Sequence, residues 1–224
     1  MLGQFNRRAH QYIPDPPGAD CLLEWLALMQ HFGSPTRLLD FTYSFYAGTF
    51  FAVEEATVES AIWAINLTAL EQTIAKRLGV NFEGSNRALR NEHNVGLCER
   101  AINGKYAEKL VVNVEPFRMN DRLAAQQGLF LFPCDLKSSC MENVLSTFDL
   151  NVEDTAREPV EIGKVGDVLS LDFSKVKILK LIFTPEVRWD AMFDLHKMNI
   201  NAATLFPDLA GFARSMRFWL RLSR

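Results

Sequence analysis

The stretch LALMQHFGSPTRLLDFTYSFYAGTFFA, residues 26–52, sets polar and charged side chains among strongly apolar ones. Gly33 is expected to end a helix there, and Pro35 keeps Ser34 out of the helical conformation, so a tight turn must follow. The turn brings His31 towards the polar edge of the next segment, TRLLDFT. The region is therefore either a buried corner of the core or the wall of a binding cleft.

A first group of polar residues belongs to this turn. In the structural interpretation, Arg37 and Asp40 pair and pin a buried corner, while His31 bonds a backbone carbonyl. In the functional interpretation, Arg37 and His31 face a cleft and bind an anion such as a phosphate. The members of the group are Gln30, His31, Thr36, Arg37 and Asp40.

A second polar group stands in NDRLAAQQGLFLFP, residues 120–133, ahead of an apolar strand. Gly128 permits a bend or a close backbone approach at this point. A buried glutamine is costly unless its groups are paired, so Gln126 or Gln127 either bonds a neighbouring loop or orients a ligand at the strand end. Arg122 is a further candidate contact.

Bulk properties narrow the class of protein. The chain has 224 residues, a net charge of -3 and 48% apolar residues, as expected of a globular protein without a global nucleic-acid or membrane-binding charge. Only the arginines from Arg214 to Arg224 keep nucleic acid open as a partner. The four cysteines lack metal-site spacing, so we predict no metal site. Because the start shows no signal peptide, we expect the cysteines to be free thiols in a cytoplasmic protein.

Helices and strands interleave without the regular rhythm of a doubly wound sheet, which favours an α+β fold. We predict a single domain over residues 1–224, with an irregular segment at 1–20 and a charged loop at 151–167. Asp20 is predicted as a helix N-cap, and Thr68 with Glu71 as a capping box. Helices are predicted over 21–32, 44–56, 68–79, 87–101, 139–148, 184–198 and 207–222, and strands over 61–67, 109–116, 128–133 and 176–183. The last helix is expected to direct Leu209, Phe212, Met216 and Leu220 inward.

Three stretches of the chain resemble the FRG domain family. EWLALMQHFGSPTRLLDFTYSFYAGTFFAVE (24–54) is similar to its QH-x-G-x-PTRLLD core, NDRLAAQQGLFLFP (120–133) to its QQG segment and TLFPDLAGFARSM (204–216) to its LFPDL-x-G ending. The arginine of the [F/Y]RG motif that names the family is absent ahead of the first stretch, where the chain reads MLGQFNRR and only Gly3-Gln4 could correspond to the end of the motif.

The resemblance implies a function in prokaryotic phage defence or as a toxin. The motif order of the family resembles that of ADP-ribosyltransferases, which implies a split mixed or antiparallel sheet flanked by helices, with NAD in the cleft. Partners would be an unidentified macromolecular target and a neutralising, antitoxin-like protein, without a membrane. Catalytic roles would fall to Arg37, Gln126 and Gln127. Cofactor contacts would come from Gln30, His31, Thr36, Asp40, Phe41, Thr42, Tyr43, Tyr46 and Arg122.

A second class of function stays open at this point. A glutamine amide can hydrogen-bond a ribose hydroxyl, yet it cannot act as a general base. Because the arginine of the [F/Y]RG motif is also missing, the chain could instead be a non-catalytic module that keeps the fold and binds a nucleotide or a protein.

Overall fold

Short helices alternate irregularly with strands in the computed structural model, which describes residues 1–151, 153 and 176–222. The helices are α1 (Leu2–Ala9), α2 (Leu22–His31), α3 (Phe45–Val53), α4 (Leu67–Leu78), α5 (Arg87–Ile102), α6 (Asp121–Ala125), α7 (Cys140–Thr147), α8 (Arg188–Lys197), α9 (Ala202–Leu205), α10 (Leu209–Ser215) and α11 (Arg217–Leu222). The strands are β1 (Leu39–Thr42), β2 (Ser60–Ile65), β3 (Val111–Val114), β4 (Gly128–Pro133) and β5 (Ile178–Phe183).

The strands form two small sheets, with the order β1-β4-β3 in one and β2-β5 in the other. Strand β1 runs antiparallel to β4, in a register that pairs Asp40 with Phe130 and Thr42 with Gly128. All residues of the central strand β4 and of the edge strand β3 are buried, so both faces of these strands are covered. The prediction of an α+β fold with a split mixed or antiparallel sheet flanked by helices is confirmed, in the form of two small antiparallel sheets.

The chain divides into two compact units, which are described separately. Unit 1 comprises Met1–Ile62, Asn113–Leu131 and Leu181–Arg224, and unit 2 comprises Trp63–Val112 and Phe132–Lys180. The core of unit 1 joins α3 to α8 and α9 through Ala47, Phe50, Val53, Leu195, Ala202 and Leu205. Helix α3 begins where the Ser44 hydroxyl accepts a hydrogen bond from the Ala47 amide.

In unit 2, the side chain of Asn143 is fully buried and its amide has a partner at every position. Its Oδ1 accepts from the amides of Leu110 at 3.2 Å and Asp135 at 3.0 Å. Its Nδ2 donates to the carbonyls of Asp135 at 3.1 Å and Ser139 at 2.9 Å. An amide so fully satisfied can be buried without penalty, and it ties the start of α7 to the segments around it.

The C-terminal helix differs from its prediction. Instead of one helix over 207–222, α9, α10 and α11 follow one another, and Leu209, Phe212 and Met216 are exposed rather than inward. The side chain of Leu220 lies outside the described residues. The helix breaks because Asp208 adopts an extended conformation and caps a new helix, α10. Within α10, Gly211 is the buried residue, whereas the periodicity of the sequence predicted its apolar neighbours to be buried.

Further boundaries also needed correction. The segment 1–20 is not wholly irregular, because it contains α1. Cys21, rather than Asp20, precedes α2, and the Asn66 side chain caps α4 in place of the Thr68–Glu71 capping box. The predicted loop at 151–167 lies almost entirely outside the described residues. None of the described helices is long and apolar enough to cross a membrane.

Gly211 allows a backbone contact that any other residue would prevent. A Cβ there would lie 2.0 Å from the Phe206 carbonyl oxygen and 2.5 Å from the Phe206 Cβ. We predict that Gly211→Ala lowers the free energy of unfolding by about 2–3 kcal/mol through overpacking. Gly96→Ala is the control: no atom lies within 4 Å of its Cβ position inside α5, so stability should rise by about 0.4–1 kcal/mol. Urea unfolding of both variants measures the difference, and a Gly211→Ala variant as stable as the parent would contradict the analysis.

Candidate binding cleft

A small polar cleft of about 40 Å³ opens in unit 1 where α2, β1 and α6 meet. Its walls are Ala27, Gln30, His31, Asp40, Asn120, Arg122, Leu123, Gln126 and Phe130. The α2 residues stand three and four positions apart and so share one helix face. Asp40 reaches the same cleft because β1 pairs it with Phe130 of β4.

The turn after α2 holds His31 at the mouth of the cleft. Gly33 adopts a left-handed conformation with φ of 74°, and the Ser34 amide donates to the Met29 carbonyl at 2.8 Å. With the Gly33 amide on the Gln30 carbonyl at 3.0 Å, this pattern is a Schellman ending. Gly33 therefore ends the helix as the sequence predicts.

Gln30 connects the turn to β1 through its side-chain amide. Its Oε1 accepts a hydrogen bond from the Thr36 hydroxyl, and its Nε2 donates to Asp40 Oδ2 at 3.0 Å. The Thr36 hydroxyl in turn accepts from the Leu38 amide at 3.1 Å. Since Thr36 and Gln30 each donate one hydrogen bond and accept one, the series fixes the orientation of the Gln30 amide and places one Asp40 oxygen against it.

Helix α6 and the residues after it complete the cleft. Asn120 caps α6 by accepting from the Leu123 amide at 2.8 Å. Gln126 is then bound on both sides: its carbonyl accepts from the Thr42 hydroxyl at 2.7 Å, and its Nε2 donates to the Leu205 carbonyl at 3.0 Å. The side chain of Gln126 thus bonds another segment, as the structural interpretation expects, but its partner is the last residue of α9 and not a loop.

His31 is placed in an electropositive and partly dehydrated environment. Burial lowers the pKa of His31 from its ordinary value of 6.5, and the positive charge of Arg122 lowers it further. The Asp208 carboxylate acts in the opposite sense and offsets part of the shift. The imidazole is therefore neutral at neutral pH, where it can accept a hydrogen bond or a proton.

Phe206 lies against two guanidinium groups. The guanidinium carbon of Arg122 is 4.6 Å from the centre of its ring, and that of Arg214 is 4.8 Å away. Arg214 is held by Glu54, to which its Nε donates at 2.7 Å and its Nη2 donates as well. Cation–π contact with a ring that is itself packed restrains the position of Arg122 at the cleft.

The model of the FRG domain family matches residues 1–61, which contain α1, α2, β1 and α3. Over these residues, a little over a quarter of its length, the chain is similar to FRG domains. The stretches 120–133 and 204–216, which complete the resemblance, lie beyond the matched residues. A search of curated proteins returned no match, and a search of solved structures returned none either.

The structure brings together part of the predicted FRG site. Gln30, His31, Asp40, Arg122 and Gln126 line the cleft, and Thr36 acts on it through Gln30. The predicted site residues that do not line it are Arg37, Phe41, Thr42, Tyr43, Tyr46 and Gln127.

These other residues have different surroundings. Arg37 and Asp40 are both exposed, so the expectation that they pin a buried corner is wrong. Thr42 bonds backbone at Gln126, and the Tyr43 hydroxyl donates to Glu115 at 2.7 Å. Tyr46 is exposed, with its ring edge against Phe45.

Three residues of the site were missed from the sequence. Asn120 lines the cleft, Phe206 supports Arg122, and Asp208 acts on the charge of His31. The LFPDL segment gave a signal for the last two, since it resembles an FRG motif. Its distance from the turn in sequence, however, offers no residue-level reason to place it beside α2.

Two substitutions beside His31 should shift its pKa in opposite directions, which tests the placement of Arg122 and Asp208. Arg122→Gln should raise this pKa, and Asp208→Asn, which keeps a capping side chain, should lower it. Because the folded pKa lies below the unfolded one, stability associated with His31 is present above about pH 6.5 and is lost as pH falls through the folded pKa. NMR titration of the imidazole measures the first two effects. Denaturation of the parent and of His31→Gln as a function of pH measures the effect on stability. Equal pKa values of His31 in the parent, Arg122→Gln and Asp208→Asn would disprove the placement.

Adjacent glutamines allow a matched test of which one is structural. Gln126→Glu replaces the amide donor with a carboxylate that faces the Leu205 carbonyl, so the free energy of unfolding should fall by about 1–3 kcal/mol. In Gln127→Glu, which changes the charge equally, the loss should stay below about 0.5 kcal/mol. Chemical denaturation of the two variants decides, and an equal loss in both would reject the structural role of Gln126.

Proposed function

We propose that this FRG domain binds NAD through the polar cleft and acts as an ADP-ribosyltransferase. The observation that carries the proposal is the meeting of His31, Arg122 and Asp40 at one cleft, from segments that are distant in sequence. A guanidinium, a neutral imidazole and a carboxylate offer donors and acceptors for phosphate and ribose groups.

The size and chemistry of the cleft suit part of the dinucleotide. About 40 Å³ is far below the roughly 300–1,000 Å³ typical of pockets that enclose a whole ligand, so it suits one phosphate or one ribose edge. Arg122 would hold a phosphate oxygen, and Asn120 and the Oε1 of Gln126 would contact hydroxyl groups. The rest of the dinucleotide would lie along the exposed surface beside β1, where Tyr43 and Tyr46 offer rings for stacking.

Each charged or polar residue of the cleft would have a different role in the transfer reaction. When bound, NAD supplies an ADP-ribosyl group with nicotinamide as its leaving group. The Arg122 guanidinium orients the phosphate, while neutral His31 can accept a proton from an incoming nucleophile. Asp40 lies at the cleft as a negative charge that favours positive charge developing on a ribose. Arg37, with its exposed guanidinium, would contact the surface-bound part of the ligand.

A second candidate function is a non-catalytic module that binds a nucleotide. This function is favoured because two groups that a transferase would use already form hydrogen bonds within the protein. The Nε2 of Gln126 donates to a carbonyl, and Asp40 accepts from Gln30. Among the described residues that line the cleft, Asp40 is the one carboxylate. Such a module would bind NAD without breaking its glycosidic bond.

The biological setting comes from the resemblance alone. FRG domains are linked to phage defence and toxin-like systems, so we place the protein in prokaryotic defence. A macromolecular acceptor of ADP-ribose and a protein that neutralises the activity would then be its partners.

One experiment with two readouts tests both candidates. NAD binding is followed by calorimetry, and nicotinamide release by chromatography. We expect both, and we expect Arg122→Gln to weaken NAD affinity about tenfold, or about 1.4 kcal/mol. Arg118→Gln, four residues ahead of Arg122 and outside the cleft, should bind NAD as the parent does.

Each outcome has a separate meaning. Binding without release supports the binding module, and release that survives Arg122→Gln at full rate moves the chemistry away from this cleft. A folded protein that neither binds NAD nor releases nicotinamide would reject the proposal.

A further inference from the structure

A second surface feature of unit 1 is larger and has opposite chemistry. An open groove of about 680 Å³ runs along α1 and the end of α2, and we call it the N-terminal groove. Phe5, Ala9 and Tyr12 line one side, and Leu28 and Phe32 line the other. None of these residues lines the polar cleft, so the groove needs a separate explanation.

The walls of the groove are too exposed for an enclosed small ligand. Tyr12 is 81% exposed and Phe32 is 61% exposed. A site that buries most of a small ligand surrounds it on several sides, whereas these side chains face outward from a shallow surface. A contiguous apolar patch of this kind is typical of a protein or membrane contact.

Charge narrows the choice of partner. Gln4, Arg7 and Arg8 are the polar residues that line the groove, and no carboxylate lines it among the described residues. Both arginines are exposed, and within the described part of the chain neither forms an ion pair. An apolar floor with an unpaired cationic edge complements a surface with an apolar stripe and an acidic border.

We propose that the N-terminal groove binds an acidic amphipathic helix of a partner protein. Helix-in-groove recognition uses apolar anchors spaced by three or four residues, and α1 with its eight residues offers about 12 Å of parallel wall. Two or three anchors would contact Phe5, Tyr12 and Phe32, and glutamates or aspartates beside them would face Arg7 and Arg8.

Other occupants fit the same surface less well. Recognition of anionic membranes commonly uses clusters of about 4–8 basic residues, and the groove has two arginines. A second copy placed groove to groove around a two-fold axis would bring Arg7 and Arg8 towards their own symmetry mates. An acidic helix meets both the apolar floor and the charge.

The test uses two designed peptides of about 14 residues with the same leucine stripe. One carries glutamates on its flanks, and the other carries lysines at the same positions. We expect the acidic peptide to bind with micromolar affinity by fluorescence anisotropy, and the basic peptide to bind at least tenfold more weakly. Tyr12→Ser, a change at an exposed position, should weaken binding of the acidic peptide at least fivefold.

A charge reversal gives the decisive comparison. Arg7→Glu with Arg8→Glu should reverse the preference between the peptides. Lys197→Glu with Arg217→Glu alters the net charge equally at exposed positions outside the groove, and should leave the preference unchanged. Equal binding of both peptides, or an equal effect of the two double variants, overturns the proposal.

Two further measurements can also overturn it. Sedimentation that shows a dimer, dissociated by Tyr12→Ser, would assign the groove to a second copy. Failure of the acidic peptide to bind at about 1 mM, together with binding of the protein to phosphatidylserine vesicles that Arg7→Glu with Arg8→Glu abolishes, would assign it to a lipid surface.

Discussion

The placement of Gln126 is the constraint on which the cleft depends. One residue accepts a hydrogen bond from Thr42 through its backbone and donates one to Leu205 through its side chain, so three segments far apart in sequence meet at it. The next residue, Gln127, takes a left-handed conformation, and Gly128 then passes so close to Leu123 that a Cβ would lie 2.3 Å from its Cδ1. The sharp turn into β4 therefore needs both a strained residue and a glycine, and the paired amide helps to stabilise it.

Because these hydrogen bonds already use several polar groups of the cleft, a ligand would bind mainly the groups that they leave, above all His31 and Arg122. The Nε2 of Gln30 and of Gln126 are occupied, whereas His31 is neutral and the Arg122 guanidinium lies over the Phe206 ring. Burial of the imidazole is the main reason that the pKa of His31 is lowered, and the positive charge of Arg122 lowers it further. The positive charge of Arg122, which adds to the effect of burial on His31, would also attract an anionic group to the cleft.

Local signals in the sequence predicted the local structure, and long-range packing accounts for what they missed. Gly33 and Pro35 set the end of α2 correctly, because the left-handed residue and the restriction before proline act within a few residues. The last helix was wrong because periodicity alone favoured Leu209 and Phe212, while the close contact between Gly211 and Phe206 decides what is buried. Likewise, Asn66 and Thr68 are both favourable N-cap residues. Because strand β2 ends at Ile65, the next residue, Asn66, caps α4. Asp208 could not be placed near His31, since nothing local links the two.

Helix α2 makes the cleft and the N-terminal groove parts of one structural element. Gln30 and His31 face the cleft, whereas Leu28 and Phe32 line the groove. The two sides touch through the rings of His31 and Phe32, whose centres lie 4.8 Å apart in an edge-on contact. A helix that covered Phe32 would remove water from one side of this ring pair, and removal of water disfavours the charged form of the imidazole. A partner bound in the groove as proposed would therefore lower the pKa of His31 further through this ring contact.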